Sequence, residues 1–149
     1  MELTIVVAVM AVLASSAAPL HELVVKREKE QELRIALRQI REALDAYKQA
    51  VAEGRVARKA EESEFPRKLE DLVEGVPDLK TPDKRQIYFL RRLPRDPMSD
   101  DASLAAAATW GKRAYQDRPD SQSWGGKNVF DVYTTHPGTA LDGTKYREW

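Results

Sequence analysis

Hydrophobic and polar positions divide the chain into regions of different rhythm. From Leu3 to Leu20 no residue is charged: the run reads Leu-Thr-Ile-Val-Val-Ala-Val-Met-Ala-Val-Leu-Ala-Ser-Ser-Ala-Ala-Pro-Leu. As a helix rising ~1.5 Å per residue, this stretch spans roughly 27 Å, close to the hydrocarbon thickness of a bilayer. The rhythm then changes. Between Glu28 and about Ala52 the apolar residues are Leu33, Leu37, Ile40, Leu44, Tyr47 and Val51, at spacings alternating between four and three. That is one stripe on one helix. Arg34, Arg38, Arg41, Glu42, Asp45 and Lys48 occupy its other faces, with Arg38–Glu42 and Arg41–Asp45 at i,i+4 spacing. No glycine separates the two stretches, and Pro19 is the only interruption. A proline there removes one backbone bond and bends the helix without ending it. The pattern predicts one helix of about 50 residues, half in lipid and half packed on a domain, ended by Gly54.

Beyond Gly54 the patterning is short-ranged. Arg55 to Glu64 is charged and reads as a loop. Phe65-Pro66 is expected to open a short helix with Leu69, Leu72 and Val73 as its apolar face. Val76-Pro77 through Thr81-Pro82 reads as loop, and Ile87 to Leu90 is an apolar patch closed by the turn Leu93-Pro94-Arg95-Asp96-Pro97. Ala108–Gln116 and Asn128–Thr134 are strand candidates, joined by the polar, glycine-bearing connection Asp117–Lys127. The tail from His136 is mostly turn, with Tyr146 and Trp149 as an aromatic clasp. The expected class is α+β: a long N-terminal helix packed on a small C-terminal domain with a short helix and a small antiparallel sheet. Its parts are an apolar, membrane-length half of the helix (1–20), an amphipathic half (21–54) and a soluble domain (55–149).

Composition narrows the function. The 149 residues carry 24 basic and 24 acidic side chains, which argues against a nucleic-acid partner dependent on a strongly basic surface. With no cysteine, disulfides and thiolate chemistry are excluded. The only histidines are His21 and His136, and no glycine-rich phosphate loop or Gly-x-Ser-x-Gly elbow is present. We therefore expect no enzymatic activity. Lys26, Arg27 and Lys29 follow the apolar run while no Lys or Arg precedes it, which by the positive-inside rule would leave the domain in the cytoplasm. A cleavable signal fits no better, since cutting after Ser16-Ala17-Ala18 would leave Pro19 at the new N-terminus. A basic leader ahead of Met1 would remove both difficulties, and we expect one.

Glu2 has two readings: a solvated flank of an ordinary anchor, or a carboxylate placed inside the bilayer by further apolar sequence before it. A carboxylate at the centre of a membrane helix costs roughly 2.5–3.5 kcal/mol, so the second reading needs a partner, such as the amino terminus of a neighbouring chain. Asp142, in Leu141-Asp142-Gly143-Thr144, is the best single donor for a calcium ion, with Asp117 and Asp120 as distant candidates. An Asp-Gly turn accounts for the same pair without metal. Arg91, Arg92 and Arg95 form a small basic cluster that reads as solvated surface.

Glu2, the apolar run, Pro19 seventeen residues later and the charged stripe helix resemble the N-terminus of type IV pilins and pseudopilins. Phe65-Pro66-x-x-Leu69-x-x-Leu72 resembles the Tyr-Pro-x-x-Leu-x-x-Leu segment of the G-type major pseudopilins of type II secretion. Leu93-Pro94-x-Asp96-Pro97 resembles their Pro-x-Asp-Pro turn. The stretches Val129-Phe130-Asp131-Val132-Tyr133 and Gly138-Thr139-Ala140-Leu141-Asp142-Gly143-Thr144-x-Tyr146-x-x-Trp149 are similar to their terminal strand and tail.

The resemblance implies a filament subunit stored as a single-pass protein of the bacterial inner membrane, its C-terminal domain in the periplasm. It implies a homopolymeric pseudopilus supporting protein export, with Glu2 setting register and Pro19 bending the helix. Implied partners are minor pseudopilins, the inner-membrane assembly platform, and a prepilin peptidase acting on a leader ahead of Met1, with methylation of the new N-terminus. It also implies calcium in the C-terminal loops. The stretch Thr134-Thr135-His136-Pro137-Gly138 lacks the acidic residue often present there, so Asp142 is the one position carried over. Two alternatives stay open: a tethered periplasmic binding or adaptor module that does not polymerise, and a minor pilin of a type IV pilus.

Overall fold

A computed structural model describes residues 1–149. Helix α1 (Glu2–Ala52) is the long N-terminal element, and it runs on through Pro19. Proline has no N–H, so the Ser15 carbonyl lacks its usual i+4 donor. Around this gap the Ser15 and Ser16 hydroxyls donate back to the carbonyls of Val12 and Leu13, at 2.8 and 2.9 Å. The other end is closed as the glycine suggests. Gly54 adopts φ +71°, and the N–H groups of Gly54 and Arg55 reach back to the carbonyls of Val51 and Ala50, both at 2.9 Å. Those two bonds are the Schellman arrangement, which a left-handed residue at this position makes possible.

The stripe read from the sequence is the face of α1 that packs. Leu33, Leu37, Ile40 and Leu44 are buried, with Ala36, Ala43 and Ala50 between them letting the domain approach closely. Each fully buried leucine or isoleucine contributes roughly 1.5–3 kcal/mol relative to exposure. Across from it lie Phe65, Leu69, Leu72, Trp110, Val129 and Val132, which complete the core.

The expected helix at Phe65-Pro66 is shorter and later, α2 (Asp71–Glu74). The reason is a competing bond: the Pro66 carbonyl accepts the Val129 N–H at 2.8 Å and so ties the segment to the strand region. Leu69 and Leu72 are fully buried regardless, and the Leu72 carbonyl accepts both the Phe89 and Leu90 N–H groups. The expected loop at Val76-Pro77 is instead a strand. β1 (Val76–Pro77) pairs antiparallel with β2 (Gln86–Ile87), Val76 opposite Ile87 and Pro77 opposite Gln86. A two-strand ribbon has only edges, which is where proline is tolerated.

The two strand candidates are present and paired, each shorter than expected. β3 (Trp110–Arg113) runs antiparallel to β4 (Asp131–Thr134), with Trp110 opposite Thr134 and Arg113 opposite Asp131. A 3-10 turn at Ala106–Thr109 leads into β3. The fold is thus the expected α+β arrangement, with two small antiparallel sheets rather than one. In the tail, Tyr146 and Trp149 stack edge to face at 5.2 Å, as the aromatic clasp predicts.

Candidate functional site

Every residue from Met1 to Val25 is exposed, although most of the first twenty are apolar. Leu3 is 81 % and Leu13 63 % exposed, and the first buried residue of α1 is Glu30. The half-helix therefore projects from the domain with no protein around it. It is long and apolar enough to cross a membrane, so single-pass anchoring is compatible with the fold. Outside its first turn and the Ser15 carbonyl its main chain is satisfied internally, which lets hydrocarbon accept it, while its side chains gain only from lipid or from other helices. Glu2 is the first helical residue, exposed and free of side-chain hydrogen bonds.

What fastens the other half of α1 is partly polar. Arg41 donates through Nε to Asp131 at 2.8 Å, and through Nη2 to the carbonyls of Val132 and Trp149 at 3.3 and 2.8 Å. The sequence suggested Arg41–Asp45 and Arg38–Glu42 as surface pairs, and neither forms. Arg41 lies beside β4, where several acceptors converge, and that outcompetes one exposed carboxylate on its own helix. Glu30 is the residue that pattern reading passed over. It is buried, and its Oε1 accepts the Leu141 N–H at 2.8 Å and the Tyr146 hydroxyl at 2.7 Å. Its signal was available: it precedes Leu33 by three, so a carboxylate sits on the apolar stripe. Burial, then the bond and charge of Glu30, push the Tyr146 hydroxyl well above its ordinary pKa.

Asp142 is placed at the side of α1. Its Oδ1 accepts the Thr144 N–H at 2.9 Å and the Thr144 hydroxyl, while Oδ2 faces the Arg34 guanidinium at 3.2 Å. Arg34 also stacks over the Trp149 ring, 4.2 Å from its centroid. The Thr144 donors first, then Arg34, hold the Asp142 carboxyl below the usual aspartate range. Gly143 takes φ +87°, completing an Asp-Gly turn. A hard dication wants six to eight oxygens, whereas here one carboxylate meets a guanidinium and two donors. No three His, Asp or Glu side chains gather anywhere at metal-binding spacing. Asp117 is committed elsewhere, accepting the N–H groups of Ala114 and Gly125 at 2.7 and 3.0 Å, and Asp120 pairs with Arg118 at 3.2 Å.

The basic cluster is split. Arg95 is tied to the carbonyls of Leu104 and Asp101, while Arg91 and Arg92 form no ion pair. The turn beside it is locked from inside: buried Asp96 caps the Met98 N–H at 2.8 Å, and Trp110 Nε1 donates to the Pro94 carbonyl at 2.9 Å. His21 and His136 line one cleft between α1 and the loops of the domain.

Compared with protein-family models, with curated proteins and with solved structures, the chain matches none.

Proposed function

We propose that the chain is a structural subunit of a type II secretion pseudopilus, polymerising through the apolar half of α1 to support export across the outer membrane. One observation carries this reading: a single unbroken helix is unpartnered over Leu3–Leu20 and set into the domain core from Leu33 onward. A plain membrane tether has no need of that rigidity. A polymer does, because the helix must transmit the position of the filament core to the outer domain. Head-to-tail packing of such helices is heterologous and non-closing, so it grows a filament. The role is mechanical rather than catalytic, with the domain on the periplasmic side and the unassembled protomer stored in the inner membrane.

Glu2 sets axial register in this scheme. An unpaired carboxylate in an apolar bundle is costly and a paired one is tolerated, so only one stagger of neighbouring helices satisfies it. Glu2→Ala and Glu2→Leu are expected to leave the domain folded and membrane-bound while abolishing filaments seen by electron microscopy of sheared cells. Normal filaments from both variants would remove the register role. Wild-type protein that stays monomeric, as judged by cross-linking in membranes, would favour the tethered adaptor module.

A further inference from the structure

Between the apolar span and the first buried residue of α1, the helix forms one wall of a cleft of about 590 Å³. His21, Glu22, Lys26 and Lys29 line it from α1, and Asp100 and His136 from the loops opposite. Both histidines of the chain, remote in sequence, therefore border the same cleft. The charges are balanced, two ammonium groups against two carboxylates, yet none of them has an opposite charge within 4.0 Å. Even Glu22 and Lys26, at i,i+4 spacing, do not pair. His136 accepts the Gly138 N–H on Nδ1 at 2.9 Å, which makes Nε2 the donor of the neutral ring.

The position of the cleft is as informative as its lining. His21 follows the last residue of the apolar run directly, and Lys26 lies about 9 Å beyond Leu20 along α1. Those residues bracket a headgroup layer, which is roughly 5–7 Å thick on each side of a bilayer. Val25 and Met98 give the same cleft an apolar edge.

We propose that this cleft seats the headgroup of a zwitterionic aminophospholipid. Its phosphate lies toward Lys26, Lys29 and the histidines, and its primary ammonium toward Glu22 and Asp100. A purely anionic headgroup would leave both carboxylates facing a like charge. A choline headgroup has no N–H to donate to them. The inference rests on the membrane-spanning part of the function proposed above, and it adds a lipid that must leave when a protomer is drawn from the bilayer into a filament.

With only two histidines, ring-labelled full-length chain gives two imidazole signals, both reporting from the cleft. The chain is reconstituted in phosphatidylcholine vesicles with and without phosphatidylethanolamine, with phosphatidylglycerol, and with added inorganic phosphate. Phosphatidylethanolamine is expected to shift both signals while phosphatidylcholine leaves them in place. Lys26→Gln and Asp100→Asn should each weaken the lipid titration by up to about fivefold, the most that one exposed ion pair contributes. Lys80→Gln, on the remote β1–β2 loop, should leave the titration unchanged.

Equal shifts in phosphatidylcholine, a response to phosphatidylglycerol alone, or reproduction by free phosphate would each overturn the proposal. Movement of His21 without His136 would also overturn it, reducing the effect to surface potential along the helix. Failure of the chain to enter phosphatidylcholine vesicles at all would instead refute the membrane reading beneath it.

Discussion

The two halves of α1 share a backbone geometry and almost nothing else. From Glu30 onward the helix is held by burial, by Arg41 and by Glu30 itself, each reaching a different part of the domain. Before Lys26 it is held by its own hydrogen bonds alone, and every apolar side chain is exposed. The first kind of helix is finished by folding. The second is finished only by its surroundings, because apolar surface of that extent gains nothing until water is removed from it. One element thus carries a stability problem solved within the chain and another solved between molecules.

Substitutions can be used to break this contrast, and the largest effect belongs to the buried half. Leu33→Ala or Ile40→Ala is expected to cost about 2–5 kcal/mol of domain stability, measured by urea denaturation of the full chain in detergent. Leu13→Ala, chemically the same change in the exposed half, should leave that midpoint where it is. A similar loss from Leu13→Ala would show that the two halves are energetically coupled.

Glu30→Ala comes next, at about 1–3 kcal/mol, since it strands the Leu141 N–H and the Tyr146 hydroxyl. Glu30→Gln should recover most of the loss, because an amide oxygen can still accept. Equal losses would make the charge, rather than the acceptor, what matters. Gly54→Ala should cost about 1 kcal/mol. A methyl group at Gly54 would meet nothing within 4 Å, so that cost is one of backbone conformation only.

The smallest and most graded effect is that of acid. Arg55, with the Lys80 N–H, lowers the Asp78 carboxyl, two backbone N–H groups lower Asp117, and Thr144 with Arg34 lowers Asp142. Groups depressed in the folded state contribute stability above their unfolded pKa and lose it as pH falls through the folded one. The urea midpoint is therefore expected to hold at neutral pH and to decline as pH falls into and below the usual aspartate range. A decline beginning near neutrality would rule out these carboxylates as its source, and Asp142→Asn should flatten part of the acid limb.

How much was legible in advance depended on the range of the interaction. The stripe from Leu33 to Leu44, the glycine stop at Gly54 and the pairing of the last two strands follow from local periodicity and turn chemistry, and all are present. The misjudged elements were those decided by distant partners. Val129 claims the Pro66 carbonyl and delays α2, Gln86 and Ile87 make a strand of Val76-Pro77, and Asp131 draws Arg41 away from its neighbour on the helix. Of the candidate sites, Glu2 and Pro19 could be singled out by position, whereas Arg34 and Thr144 occupy the Asp142 carboxylate and lie 108 and two residues away from it in the chain.

By itself, then, the order of residues determined that this protein has one long helix in two chemical halves, with a small α+β domain behind it. Periodicity and the lack of charge are properties of neighbouring residues, and neighbours suffice to express them. Tertiary structure alone decided which polar groups meet: the buried Glu30 with Tyr146, Arg41 with β4, and the two histidines across one cleft. Side chains far apart in the chain converge only when the core has fixed their elements, and no local pattern encodes that distance.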